Sequence, residues 1–474
     1  MDSVDLSGSG PLYRRLADQI RAAARRGEVG VGSRLPSERD LARSLGLSRT
    51  TVIAAYRVLR EEGLLESARG SGTRVAVSAR SIGPAVPVSE MPAAKLPGER
   101  FDGLIDCSGS VMPACLDGLP EETLNVTAGD LRALAAGFDY EPLGLPSLRA
   151  AIAARYTSLG LTTTADEILV TSGAQQAIDL LFTLFGRDRG TILTENPTYA
   201  GALDSARAVG ATVIGLPVDD EGLKVRALRE TLDRSPARLI YLMTACQNPT
   251  GTMMSSARWH AIARLAEATG TAIVDDTTLA DLAFDGRPAV SLTASSGGAT
   301  VITVGSLSKL FWAGMRMGWI RAPEYLITRL ARLKVVADLG SSHISQLLAA
   351  RVLPATDETR AYRRRQLTER LDILSGLLRT HLPTWSWTHP QGGPFLWVRL
   401  PHGNAEDFSQ LAARHGVRVL SGTKTSHDDA FSNHLRISYV AEPPDLRLAA
   451  ERLRRAWAEL ESGDNGQAAL DFAV

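Results

Sequence analysis

Of the five lysines among 474 residues, Lys309 is the one whose setting implies chemistry. It lies in Gly305-Ser306-Leu307-Ser308-Lys309-Leu310-Phe311-Trp312-Ala313-Gly314-Met315-Arg316, directly after an apolar run of strand character. A cation in so apolar a stretch is costly unless it is paired or used covalently. A desolvated lysine amine is suited to condensing with an aldehyde. A solitary lysine at a strand end would simply extend its ammonium to water, so the neighbouring motifs decide between the two.

Four other motifs could share its site. Thr171-Ser172-Gly173-Ala174-Gln175-Gln176 follows a strand and opens a helix, which aims backbone N–H groups at a phosphate. Asn248-Pro249-Thr250-Gly251 follows another strand and offers an amide donor. Asp275-Asp276 ends a buried strand, where an ionised carboxylate needs a cationic partner such as a protonated pyridine nitrogen. Tyr199, in Asn196-Pro197-Thr198-Tyr199, supplies a ring for stacking. In a doubly wound sheet the C-terminal strand ends converge on one crevice. A phosphate cup, an amide, a carboxylate, an aromatic plate and a lysine meeting there describe a pyridoxal phosphate site.

The elements that must position these groups read as alternating strands and helices. Strand character falls at 167–171, 191–195, 212–218, 238–243, 271–275, 299–304 and 317–321, with amphipathic helices such as 175–185 and 255–269 between them. This predicts an α/β body with a mostly parallel sheet. Long helices at 358–382, 404–415 and 444–460, flanking short strands near 395–400 and 434–440, predict a smaller α+β lobe.

The constellation resembles the fold-type I aminotransferases of the aspartate aminotransferase class, from about Ile105 to Leu460. The resemblance implies that Lys309 forms the Schiff base and that Asp275 pairs with the pyridine nitrogen. It implies that Asn248 bonds the ring hydroxyl and that Tyr199 stacks on the ring. Gly173, Ala174, Gln175, Ser306, Ser308 and Arg316 would hold the phosphate. Tyr140, in Tyr140-Glu141-Pro142-Leu143-Gly144, matches a tyrosine that reaches the neighbouring subunit's phosphate. Arg436, in Leu435-Arg436-Ile437-Ser438, matches the arginine that clamps a ligand carboxylate. The family usually carries a tyrosine two or three residues after the pyridine aspartate, where Thr277 and Thr278 stand here, and Ala174 replaces a hydroxyl-bearing residue. These departures imply retained cofactor binding with weakened turnover.

The front of the chain has a different character. Overall charge is zero, with 52 basic and 52 acidic residues, but residues 1–80 hold 14 Arg and 9 Asp+Glu, an excess of +5. Leu12, Leu16 and Ile20 mark one helix, Ser37 and Ser48 cap two more around Gly46, and Arg69-Gly70-Ser71-Gly72 forms a basic hairpin tip. The stretch 11–77 resembles the winged helix-turn-helix of GntR-type regulators, through Leu35-Pro36-Ser37-Glu38-Arg39, Ser48-Arg49-Thr50-Thr51-Val52 and Gly70-Ser71-Gly72-Thr73. That likeness implies DNA contacts by Arg39, Arg49, Thr50, Thr51, Gly70 and Gly72.

The expected organisation is a winged helix-turn-helix at 1–77, a linker at 78–104 rich in proline (Pro84, Pro87, Pro92, Pro97), an aminotransferase-like body at 105–463 and a tail at 464–474. In this order the parts resemble the MocR subfamily of GntR regulators. The resemblance implies a pyridoxal phosphate-dependent regulator that binds double-stranded operator DNA as a head-to-tail homodimer and senses the cofactor, an amino acid, or both. The competing readings are an active aminotransferase carrying a DNA-binding domain, and a regulator with a cofactor-free body. A content of 44% hydrophobic and 22% charged residues excludes a disordered or collagen-like chain. No apolar run approaches the roughly 18 residues of a membrane span. The acidic start without an apolar h-region and only three cysteines, Cys107, Cys115 and Cys246, predict a cytoplasmic protein with no disulfide framework. No metal site is expected.

Overall fold

The computed structural model describes residues 11–25, 35–61, 64–68, 72–75, 103–137, 140–286 and 297–462. The expected linker, apart from its last two residues, the wing tip at Gly70 and the tail at 464–474 lie outside the described residues. Two compact units are present, one within residues 1–85 and 458–474 and the other within residues 86–457.

In the first unit, α1 (Leu12–Arg25), α2 (Glu38–Ser44) and α3 (Arg49–Glu61) precede the hairpin of β1 (Leu65–Ala68) and β2 (Gly72–Val75). Local chemistry fixes each boundary. Ser37 Oγ accepts the Asp40 N–H at 3.2 Å to start α2, and Ser48 Oγ accepts the Thr51 N–H at 3.1 Å to start α3. Between them Gly46 adopts φ +63°, a left-handed turn that a side chain would strain. Leu16, Val52, Ala55, Tyr56 and Leu59 form the core, and the Tyr56 hydroxyl donates to Pro36 O at 2.9 Å. β1 and β2 pair antiparallel, with Leu65 opposite Val75.

The second unit begins at β3 (Ile105–Asp106), followed by α4 (Glu121–Leu124), α5 (Ala128–Ala135) and α6 (Pro146–Ser158). There follow β4 (Ile168–Thr171), α7 (Ala174–Gly186), β5 (Thr191–Asn196), α8 (Ala200–Ala208), β6 (Thr212–Asp219), β7 (Gly222–Leu223), α9 (Val225–Arg234) and β8 (Leu239–Leu242). Next come α10 (Ser256–Thr269), β9 (Ala272–Asp276), β10 (Val301–Ser306), β11 (Gly318–Arg321), α11 (Glu324–Asp338) and α12 (His343–Val352). These strands form one sheet in the order β4-β11-β10-β9-β8-β5-β6-β7. Six strands run parallel, while β7 and β11 run against their neighbours.

Helices cover both faces, so the central strands are mainly apolar until their C-terminal residues. Leu169, Tyr241, Val274, Ile302 and Val304 point to the face covered by α7, α8 and α11. Their neighbours Ile168, Val170 and Trp319 point to α6 and α12, and Ile240, Ile273 and Val301 point to α9 and α10. This alternation leaves the last residues of the parallel strands, Thr171, Asn196, Leu242, Asp276 and Ser306, along a single edge.

The smaller lobe follows α13 (Thr356–His381). It holds β12 (Ser386–Trp387), β13 (Phe395–Arg399), α14 (Ala405–Arg414), β14 (Val417–Arg418), β15 (Leu420–Ser421), β16 (His434–Ser438) and α15 (Pro443–Ser462). Its sheet runs β12-β13-β16-β15, all antiparallel. Trp385, Phe408 and Trp457 pack edge to face with ring centroids 5.4–5.5 Å apart.

In the large sheet the Phe182 ring meets Tyr241 edge to face at 5.6 Å with no solvent exposure. Phe182→Ala is expected to cost the body about 3–5 kcal/mol, read from the urea midpoint, and a loss below about 1 kcal/mol contradicts this packing.

Candidate functional site

Lys309 lies three residues beyond β10 and is partly buried. Its Nζ donates to Ser110 O and to Ser110 Oγ, both at 2.8 Å. Burial pushes the amine down to about 8; Arg436 and Arg316 lower it further, and Asp276 acts in the opposite sense. The neutral amine, the form a nucleophile requires, is therefore more populated near neutral pH than in an ordinary lysine, although the ammonium still predominates at pH 7. Ser110 was absent from the sequence reading, because nothing local ties a serine to a lysine 199 positions away.

The turn before α7 forms a cup. Gly173 is the N-cap at φ +94°, without a side-chain cap, so the first amide hydrogens of α7 have no intrahelical acceptor. Arg316 Nη2 donates to Ser172 O at 2.8 Å. A Cβ at Gly173 would lie 3.0 Å from that guanidinium, and one at Gly318 would lie 2.7 Å from Gly173 C. Both glycines are therefore set by close approach. Ser306 Oγ lies 3.1 Å from both Ser308 Oγ and Met317 O, and it accepts the Ser308 N–H at 3.2 Å. The Gln175 side chain turns away to Tyr199, accepting its hydroxyl at 2.9 Å and donating to Ser205 Oγ at 2.8 Å. Of Gln175 and Ala174, the backbone N–H groups face the opening of the helix.

The two aspartates separate. β9 extends one residue beyond the expected strand, to Asp276, and successive side chains alternate between faces. Asp275 shares the face of Ile273, where the Thr244 N–H and hydroxyl donate to it at 3.2 and 3.0 Å. Asp276 shares the face of Val274 and accepts from the Tyr241 hydroxyl at 2.7 Å and the Thr278 N–H at 3.0 Å. Asp276 is also the carboxylate that acts on both Lys309 and Tyr199. Asp276 is thus the carboxylate whose charge acts on Lys309, while Asp275, the residue expected to pair with a pyridine nitrogen, is fully buried and held by Thr244. The hydroxyl of Thr277 donates to Val304 O at 2.8 Å, whereas Thr278 Oγ1 is buried with no hydrogen-bond partner.

Arg436, on β16, is 5% exposed and lies over the Phe395 ring at 4.1 Å. Burial brings its guanidinium down to about 10. Nη1 donates to Asn248 Oδ1 at 2.9 Å and Nη2 to Ser108 O at 2.6 Å, while Nε is buried without a partner. Because Asn248 Oδ1 is taken by a cation, its Nδ2 remains as the donor end. Glu195, at the end of β5, was also missed by the sequence reading. It is 1% exposed, pushed up to about 8 by burial, and accepts the Met243 N–H at 3.0 Å. Tyr140 is 63% exposed and makes no hydrogen bond with these groups.

On the first unit, Arg39, Arg49 and Thr50 are exposed at the starts of α2 and α3. Arg49 lies 4.0 Å from Glu38. Thr51 is half-buried, with its hydroxyl 2.7 Å from Ser48 Oγ. Gly72 pairs with Ala68 in the hairpin.

Asp276 favours the charged form of Lys309, so its removal has a definite sign. Reactivity of Lys309 toward pyridoxal phosphate is expected to rise with pH about a midpoint near 8. Asp276→Asn should move that midpoint down, and a midpoint that stays in place or rises contradicts the opposing charge of Asp276.

Residues 121–453 match the family described as aminotransferase class I and II, and residues 12–75 match the bacterial regulatory proteins of the gntR family. The chain is 32% identical to the uncharacterized HTH-type transcriptional regulator YisV of Bacillus subtilis (strain 168), across 94% of this chain and 96% of that protein. It is 31% identical to the probable rhizopine catabolism regulatory protein MocR of Rhizobium meliloti, across 99% and 98%. Among solved structures it resembles the α-aminoadipate aminotransferase LysN of Thermus thermophilus, complexed with N-(5'-phosphopyridoxyl)-L-leucine. That match has a TM-score of 0.70 and 28% identity, and covers 76% of this chain and 94% of that one. No helix among the described residues is long and apolar enough to cross a membrane. The front unit with its capped recognition helix and the body with its lysine-bearing sheet edge thus belong together in one lineage: the chain is a member of the MocR subfamily of GntR regulators, a DNA-binding module fused to a pyridoxal phosphate-dependent aminotransferase-like domain.

Proposed function

We propose that the body senses pyridoxal phosphate, an amino acid, or both, and passes that state to the DNA-reading unit. The observation that carries this reading is the environment of Lys309, an amine desolvated to about 8 beside Asp276 and Arg436. The residues fit the cofactor on two counts. The cup behind Gly173 and Gly318 is one that a Cβ would fill, and its donors are an uncapped helix start and Arg316. Buried polar atoms without partners, Arg436 Nε and Thr278 Oγ1, remain available to a ligand.

When bound, the cofactor supplies an aldehyde that reacts with amines and a pyridine ring that withdraws electrons. The chain's residues do the rest. Gly173, Ala174 and Gln175 offer backbone N–H groups to the phosphate, with Ser306, Ser308 and Arg316 beside them. Tyr199, held in place by Gln175, would stack on the ring. Asp275 would hold a proton on the ring nitrogen, and Asn248 Nδ2 would donate to the ring hydroxyl. Lys309 provides the amine, which Ser110 orients. Arg436 Nε takes a ligand carboxylate, which selects amino acids over simple amines. Thr277 and Thr278 bring no phenol to this site, so turnover is weak and the body acts as a receptor.

Tyr140 is exposed for contact with a second copy, and its hydroxyl would complete that copy's phosphate cup in a head-to-tail homodimer. Arg39, Arg49, Thr50, Thr51 and the wing glycines Gly70 and Gly72 would contact operator DNA, which places the working protein in the cytoplasm. Ligand binding would bias the two DNA-reading units by a coupling of about 1–3 kcal/mol.

Lys309→Ala is expected to abolish the visible absorbance of the cofactor-treated protein; an unchanged band overturns the lysine assignment. Arg49→Ala is expected to weaken binding to the chain's own upstream DNA by about 1–3 kcal/mol in gel-shift titration, and unaltered affinity counts against the recognition-helix role. The same titration with pyridoxal phosphate and candidate amino acids tests sensing, which requires the DNA midpoint to move. Steady-state conversion of an amino acid to its keto acid would favour the enzyme instead.

A further inference from the structure

Behind the phosphate cup lies a polar cluster that the site as described does not use. Lys334, on α11, is fully buried, and a lysine is seldom so buried without partners. Its Nζ contacts both carboxylate oxygens of Asp338 at 2.8 and 2.7 Å, and Gln176 Oε1 and Ser341 Oγ at 3.1 Å each. Asp338 in turn accepts from Gln176 Nε2 at 2.7 Å and from the Gly340 N–H at 3.0 Å.

The Gln176 amide is therefore gripped at both ends, its oxygen by the ammonium and its nitrogen by the carboxylate. Reversing the amide would set N–H against ammonium and oxygen against carboxylate, so one orientation is enforced. In that orientation Gln176 Oε1 accepts the Ser172 N–H at 2.8 Å. Ser172 O receives Arg316 at 2.8 Å, so the residue before the cup is anchored at its N–H and at its C=O. Gly173 has no side chain to cap α7, which leaves the first-turn amide hydrogens of the helix to an anion. Lys334 and Asp338 cancel in charge, so the pair supplies geometry rather than field.

We propose that Lys334 and Asp338 are positioning residues for the cofactor phosphate, locking Gln176 so that the Ser172–Gly173 turn presents the helix start to it. The proposal rests on the cofactor reading above. The test uses full-length protein stripped of cofactor and titrated with pyridoxal phosphate and with pyridoxal, which lacks the phosphate, followed by visible absorbance. Asp338→Asn keeps the side-chain shape and removes the charge that holds Gln176 Nε2. Its affinity for pyridoxal phosphate is expected to fall about tenfold while that for pyridoxal stays within about twofold, the scale of one charge-assisted hydrogen bond. The phosphorus resonance of the bound cofactor should shift as well. An unchanged affinity for pyridoxal phosphate, or an equal loss for both compounds, overturns the proposal. Should Asp338→Asn not fold, the double substitution Lys334→Met with Asp338→Leu removes both charges together and is judged by the same ratio. Wild-type protein that binds neither compound overturns the cofactor reading and this inference with it. Wild-type binding with an unshifted ratio in the variants overturns this inference alone.

Discussion

An amine can be nucleophilic near neutral pH only if its surroundings make the ammonium expensive, and the surroundings of Lys309 do so. Lys309 is desolvated, faces the guanidinium groups of Arg436 and Arg316, and has Asp276 as its opposing charge. Remove the anion and the amine becomes still harder to protonate; remove the cations and it reverts toward an ordinary lysine. This balance needs residues from β9, from the turn after β10, from the approach to β11 and from β16. No short stretch of chain can build it.

Parallel strands make the convergence possible. Because β4, β5, β8, β9 and β10 point the same way, their C-terminal residues reach one edge, where the connecting turns supply the functional groups. The cup is built from backbone, so its specification lies in what side chains are absent. Gly173 must admit the Arg316 guanidinium, and Gly318 must admit the Gly173 backbone. What side chains contribute is orientation. Arg436 turns the Asn248 amide, Gln175 holds the Tyr199 hydroxyl, and the Lys334–Asp338 pair turns Gln176. Each is a charged or amide group acting on a second one that would meet the ligand.

The front unit follows simpler rules. Its helices start at serine caps and turn at a left-handed glycine, and its apolar residues repeat at helical spacing. All of that is local, and it was legible in the sequence. The body's element order was equally legible, since strands buried on both faces are apolar runs. The observed strands depart from the expected ones by one or two residues at their ends.

At the end of β9 the alternation of side chains gives adjacent aspartates different partners, Thr244 for Asp275 and Tyr241 for Asp276. The two-part architecture, the lysine after β10, the glycine turn before α7 and the serine caps of α2 and α3 were legible in the sequence, since each is written in contiguous residues. Asp276 opposing Lys309, Ser110 holding its amine, Arg436 engaging Asn248 and Lys334 engaging Gln176 emerge only in the tertiary structure. Those pairs lie 33, 199, 188 and 158 positions apart for Lys309–Asp276, Lys309–Ser110, Arg436–Asn248 and Lys334–Gln176. Contacts at such separations arise from strand order and helix packing, which local periodicity does not encode.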